Sequence, residues 1–158
     1  MAEALAANEL GPHNPIVRAA TVHSLGRRLD PGEIEKFLDD MVSASVPAPI
    51  GATASVKIAI WGKVDCDPNG QPWSYDASIW GGPAYFGQAA GFMYTAYQTW
   101  DAFFRNVTSV HVQGIASAGG ILQINWFNHS GTPVGQFNGA AGGVGVLEAG
   151  GSGGWSHR

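Results

Sequence analysis

In the segment Val56-Lys57-Ile58-Ala59-Ile60-Trp61, apolar side chains recur at every second position, with Val56, Ile58 and Ile60 on one face. A period of two is the signature of a strand with one side toward a core. Downstream, Asp67-Pro68-Asn69-Gly70 supplies a turn, because proline pre-sets its φ and Asn-Gly tolerates positive φ. Trp73, Tyr75, Ala77 and Ile79 then form one face of a second strand, with Ser74, Asp76, Ser78 and Trp80 on the other. Gly81-Gly82-Pro83 breaks it, and residues 84–95 read as a strand rich in small residues. Tyr97, Trp100, Phe103 and Phe104 have helical spacing, and strands follow near 107–117, 121–128, 133–139 and 143–149. Gly119-Gly120 and His129-Ser130-Gly131-Thr132 are the turns among them, and Gly142-Gly143-Val144-Gly145 reads as a barrel corner. Short strands at 8–12-residue spacing predict an all-β protein, a compact antiparallel barrel of about eight strands.

Upstream, the period changes to that of a helix. Asp30-Pro31-Gly32-Glu33 combines an N-cap, a proline at the first helical position and the Glu of a capping box. Ile34, Phe37, Leu38, Met41 and Val42 then make one apolar stripe, and the prolines of Val46-Pro-Ala-Pro-Ile50 stop it. One amphipathic helix is therefore expected over 31–44, packed on the sheet or plugging a barrel end. Residues 1–29 lack clear periodicity and read as a flexible arm, locally basic at Arg18, Arg27 and Arg28. The domain proper is residues 30–158.

Composition narrows the function. Net charge is −4, which offers no basic footprint for nucleic acid. Charged residues are 13%, about half the usual share, and between Ala102 and Leu147 only Arg105 is charged; a closed sheet needs fewer charged gatekeepers than an open one. One cysteine, Cys66, excludes a disulfide scaffold. The opening residues have neither the basic start nor the apolar run of a secretory signal, which leads to a cytoplasmic chain or one whose signal has been removed.

No motif dictates a chemistry. The histidines at 13, 23, 111, 129 and 157 show no metal-ligand spacing, and Asp65-x-Asp67-x-Asn69 lacks the rest of a calcium loop, so no metal and no cofactor is expected. There is no G-x-S-x-G elbow and no phosphate-binding glycine loop. Acid–base candidates on the strands are Asp76, His111 and Tyr75, with Asp76 and His111 both expected to face solvent. The bulky inward set includes Trp73, Tyr75, Trp126 and Phe137, which either fill the barrel or wall a pocket for one small apolar ligand. Trp61 and Trp80 lie on the opposite faces, where they either make surface contacts or are covered by the N-terminal helix.

Tyr94-Thr95, Leu122-Gln-Ile-Asn-Trp-Phe127, Gly135-Gln-Phe-Asn-Gly139 and Gly150-Gly-Ser-Gly-Gly-Trp155 together resemble the C-terminal part of the virulence-associated (Vap) proteins of actinobacterial pathogens. The resemblance implies an eight-stranded barrel with a short helix, no catalytic motif, secretion, and a role in host-cell compartments, at membranes or on a host partner. The run Gly135-Gln-Phe137-Asn-Gly139-Ala140-Ala-Gly142 is also similar to allene oxide cyclase and dirigent-type barrels. That likeness implies a cofactor-free cyclase or isomerase folding an apolar intermediate between Trp73, Tyr75, Trp126 and Phe137. The first reading leads: a non-enzymatic barrel effector whose partner is a membrane lipid or host protein. The second remains as the alternative, and a carbohydrate-binding module using Trp61 and Trp80 stands behind both.

Overall fold

A computed structural model describes residues 10–115, 120–141 and 146–158. Two helices, α1 (Pro15–Leu25) and α2 (Pro31–Asp40), precede the sheet. Two long strands follow, β1 (Ile50–Pro68) and β2 (Trp73–Thr95), then α3 (Trp100–Asn106). The rest is β3 (Ser109–Ile115), β4 (Ile121–Phe127), β5 (Pro133–Ala140), β6 (Leu147–Ser152) and β7 (Trp155–His157). The expected corner at 142–145 and Gly119 lie outside the described residues.

The seven strands form one antiparallel sheet, six in the order β1-β2-β5-β4-β3-β6 with β7 off this path on β2. Residues 78–82 of β2 also pair with β6 and residues 90–95 with β5, so the sheet closes in a ring. Gly81-Gly82-Pro83 does not end a strand as expected; β2 runs through it and bends. β1 bends opposite, where its register shifts between Ile58 and Ile60. Beyond the bend the halves of β1 approach each other. Ser55 Oγ donates to Asp65 Oδ2 at 3.4 Å, and Gly62 lies so close to Lys57 that its missing side chain leaves room for the Lys57 carbonyl. Each long strand thus contributes two segments to the ring, which gives the eight-segment wall that the strand spacing predicts.

Alternation places Val56, Ile58, Tyr75, Ile79, Leu122, Ile124, Trp126 and Phe137 inside, and all are buried. Ile60 does not follow them. Parity turns it inward, but its φ of 90° turns it out, and it is 78% exposed. α3 plugs one end of the ring: Thr99 caps it by accepting from the Ala102 amide, and Phe103 and Phe104 are buried against Trp126 and Trp155.

Strands β4 and β5 are buried on both faces. The outer face is covered by α1 and α2, which explains the scarcity of charge there. α2 is capped as its sequence demands: Asp30 accepts from the Glu33 amide while Glu33 accepts from the Asp30 amide. It ends at Asp40 rather than 44, and its Ile34, Phe37 and Leu38 pack with Leu25, Tyr94 and Phe127 in a second core. Where an aperiodic arm is expected, α1 forms instead. Asn14 caps it by accepting from the amides of Ile16 and Val17, with Pro15 at the first position.

The surface beneath α1 is polar. Gln123 donates to Asn138 at 3.0 Å, Asn138 to Gln136 at 2.8 Å, Gln136 to Asn125 at 2.8 Å, and Asn125 back to Gln123 at 2.9 Å. This closed cycle of four carboxamides is fully buried. Thr21 on α1 accepts from both Gln123 and Gln136 and donates onward to the Val17 carbonyl, while Gln113 donates to the Ala20 carbonyl. Buried polar groups cost little when every donor is matched, and here the matching fixes where α1 sits.

Candidate functional site

Register lines up residues across the outer face of the sheet. Gln136 on β5, Asn125 on β4, His111 on β3, Gly150 on β6, Trp80 on β2 and Trp61 on β1 are successive partners in one row. Antiparallel partners project to the same side, so these six residues share a face. Helices cover the amide end of the row. The tryptophan end is bare.

Trp61 and Trp80 are 59% and 62% exposed, their ring centroids 6.3 Å apart and tilted by 42°. The N-terminal helices do not cover them. They flank the double bend of β1 and β2, where Ile60 and Phe86 are also exposed. Isolated apolar side chains on a surface need no explanation, but four large ones around one bend, two of them paired ring to ring, mark a candidate contact patch. Ile60 adds a second signal, because a β-branched residue at positive φ is a backbone outlier that surrounding structure must hold in place. Lys57, the register partner of Phe86, and Lys63, two residues behind Trp61, border the patch with positive charge. Farther back, Asp65 opposes Asp76 across the same strand pair. Burial, with Asp76 reinforcing it, holds the Asp65 carboxyl above its ordinary range.

The acid–base candidates are not brought together. Tyr75 is buried inside the ring and donates to the Gly153 carbonyl at 3.0 Å, and burial pushes its phenol well up. Asp76, its chain neighbour, is exposed on the opposite face with Lys63 at 3.4 Å. His111 does not face open solvent as expected: it sits under α1, with Ser24 Oγ 2.6 Å from Nδ1 and Glu148 3.6 Å from Nε2. That Ser–His–Glu row looks like a nucleophile and its base, but Ser24 is buried within a helix whose backbone N–H groups are committed to it, which leaves neither substrate access nor donors for an oxyanion there.

The residues expected to wall a pocket sit in a crowded core. Tyr75 and Trp126 meet edge to face at 5.7 Å, Phe137 is fully buried, and Trp73 stacks on Phe104 at 5.4 Å near the plugged end. Two buried indole N–H groups, of Trp126 and Trp155, meet no acceptor among the described residues. A groove of about 1010 Å³ lies outside the ring, between the start of α1 and residues 41–49, with Pro12, Val42, Pro47 and Tyr94 in its lining.

His13, Glu35 and Asp39 bring three ligand atoms within 4.8 Å of one another. They are already engaged between α2 and the start of α1: His13 Nε2 lies 2.9 Å from Asp39 Oδ1, and Glu35 pairs with Arg18. A guanidinium on one of the carboxylates opposes a cation at that place.

A family model described as Rhodococcus equi virulence-associated protein matches residues 14–156. Among solved structures, the chain is similar to the virulence-associated protein VapB from the intracellular pathogen Rhodococcus equi. That structure is 21% identical, with a TM-score of 0.59 over 70% of this chain and 98% of the other. It is also similar to the virulence-associated protein VapD from the same organism, at 18% identity and a TM-score of 0.60, covering 69% of this chain and 97% of the other. No curated protein matches.

Proposed function

The chain belongs to the Rhodococcus equi virulence-associated protein family, and from that premise we propose that it is a secreted, non-enzymatic effector that acts by docking on host membranes. The supporting observation is the apolar tip of the double bend, where Ile60, Trp61, Trp80 and Phe86 stand exposed together. Tryptophan favours the bilayer interface, where its ring meets the acyl boundary and its N–H stays wet. Lys57 and Lys63 stand behind the tip, and a lysine near an anionic surface adds about 1 kcal/mol of attraction. Asp65 and Asp76 on the same face oppose that attraction at neutral pH. Acid neutralises Asp65, whose carboxyl burial holds above its ordinary range, so docking strengthens as pH falls.

Co-sedimentation with phosphatidylserine-containing liposomes at pH 7 and pH 5 tests this. The wild type pellets with the vesicles, more completely at pH 5. A protein that stays in the supernatant at both values contradicts the reading.

One observation favours a second reading, a small apolar ligand with a hydrogen-bond acceptor inside the ring: the unmatched indole N–H groups of Trp126 and Trp155. Native mass spectrometry that recovers a bound small molecule from purified protein supports it. A clean apo mass sets it aside.

A further inference from the structure

The seam between α1 and the sheet gathers two imidazoles around one carboxylate. His111 Nδ1 lies 2.6 Å from Ser24 Oγ, in the last turn of α1. Its Nε2 faces Glu148 Oε1 at 3.6 Å, and the other oxygen of Glu148 lies 3.0 Å from His23 Nε2, also in that last turn. One carboxylate therefore serves two imidazoles, one from the sheet and one from the helix. Arg28, just past α1, is held with its guanidinium over Phe127 and acts on His111 as a further positive charge. The remaining neighbours are neutral: Asn125 on β4, which donates to Gln123, and Gly150 on β6.

Neutral His111 suits this setting. In the tautomer with its proton on Nε2, Nδ1 is free to accept from the Ser24 hydroxyl while Nε2–H faces Glu148. With the side chain only 12% exposed, a proton on His111 is poorly solvated. Arg28 and His23 both disfavour that proton, and Glu148 is the carboxylate that faces it.

We propose that α1 is an acid-releasable cover, held on the sheet by neutral His111 and loosened at its last turn when that imidazole takes a proton. Loosening bares the amide cycle. Because Asn125, His111, Gly150 and Trp80 are consecutive in one row, the newly exposed strip adjoins the tryptophan pair and extends the same face. The cover operates whether or not that face meets a membrane.

The electrostatics agree with the geometry. Burial pushes His111 below its ordinary value near 6.5; Glu148 opposes this, and Arg28 and His23 reinforce it. A group whose docked form prefers to be neutral contributes its full share above the ordinary value. That share is lost as pH falls from there toward the docked value.

Hydrogen exchange without lipid at pH 7.5 and 5.0, corrected for intrinsic rates, reads the cover directly. Residues 15–25 lose protection relative to residues 121–127 by about tenfold for each unit separating docked and free His111. His111→Gln flattens this difference, whereas His23→Gln preserves it. Equal protection at both pH values overturns the proposal, as does an acid loss that survives in His111→Gln. Should His111→Gln open α1 already at pH 7.5, the titration of His111 in wild type by NMR decides. A midpoint below the ordinary histidine value supports the cover, and one at or above it overturns the proposal.

Discussion

Trp61 and Trp80 face each other across the β1–β2 register with ring centroids 6.3 Å apart, and each keeps more than half of its surface in water. Nothing in the fold requires that exposure. Both residues project away from the interior, so the ring closes and packs without them. Their replacement separates contact from stability: Trp61→Ser with Trp80→Ser changes the urea midpoint little, since exposed positions shift stability by about 0.5 kcal/mol or less. The same double variant loses co-sedimentation with anionic liposomes. A variant that unfolds easily yet still binds contradicts the assignment.

Ile60 carries a cost that Gly does not. At a φ of 90° a β-branched side chain is strained, and glycine removes that strain while giving back some chain entropy. Ile60→Gly is expected to raise stability by about 1 kcal/mol, read from urea denaturation, while weakening liposome binding. A loss of stability shows that Ile60 packs usefully where it stands.

The amide cycle predicts a hydroxyl requirement at position 21. Thr21→Val keeps the shape but withdraws the acceptor used by Gln136 Nε2 at 2.9 Å, leaving a buried N–H unmatched. The cost is about 1–3 kcal/mol, and Thr21→Ser, which keeps the oxygen, loses clearly less. Equal losses for the two substitutions assign the effect to the methyl group instead.

Asp65 and Asp76 oppose each other in register, and Asp65 is held above its ordinary value of 3.8 by burial first and Asp76 second. A raised carboxyl favours folding while protonated, and that contribution is lost as pH rises through its folded value. Asp65→Asn therefore gains a few tenths of a kcal/mol at pH 7, a modest sum because the pair is largely solvated. The gain fades as pH falls through the raised folded value toward 3.8, as the wild-type carboxyl takes up its proton. Urea midpoints of the two proteins at pH 7 and pH 3.5 check both the sign and the window.

Much of the fold was legible because its strands alternate and its second helix is capped. Val56, Ile58, Tyr75, Ile79, Leu122, Ile124, Trp126 and Phe137 are buried where a period of two places them, and Asp30 with Glu33 starts α2. α1 escaped the same reasoning for a physical reason. Its buried face includes Ala20, Thr21 and Ser24, because it lies on carboxamides rather than on an apolar core, so no hydrophobic stripe marks it. Asn14-Pro15 repeats the cap chemistry of Asp30-Pro31 and was the available signal. Ile60 was misplaced because parity cannot register a residue at positive φ. Alternation put Trp61 and Trp80 on the outer face but left open whether the N-terminal helix covers them, and it missed their neighbours, since Ile60 and Phe86 are exposed only where β1 and β2 turn together.

Quenching of tryptophan emission by brominated phospholipids reports directly whether the aromatic tip enters the lipid interface. Vesicles brominated near the headgroup end of the acyl chain are expected to quench bound wild-type protein, and its failure to be quenched while bound shows that the tip stays out of the lipid. Trp61→Phe with Trp80→Phe, which still carries an apolar tip, binds but loses most of that quenching. A double variant quenched equally contradicts that contact.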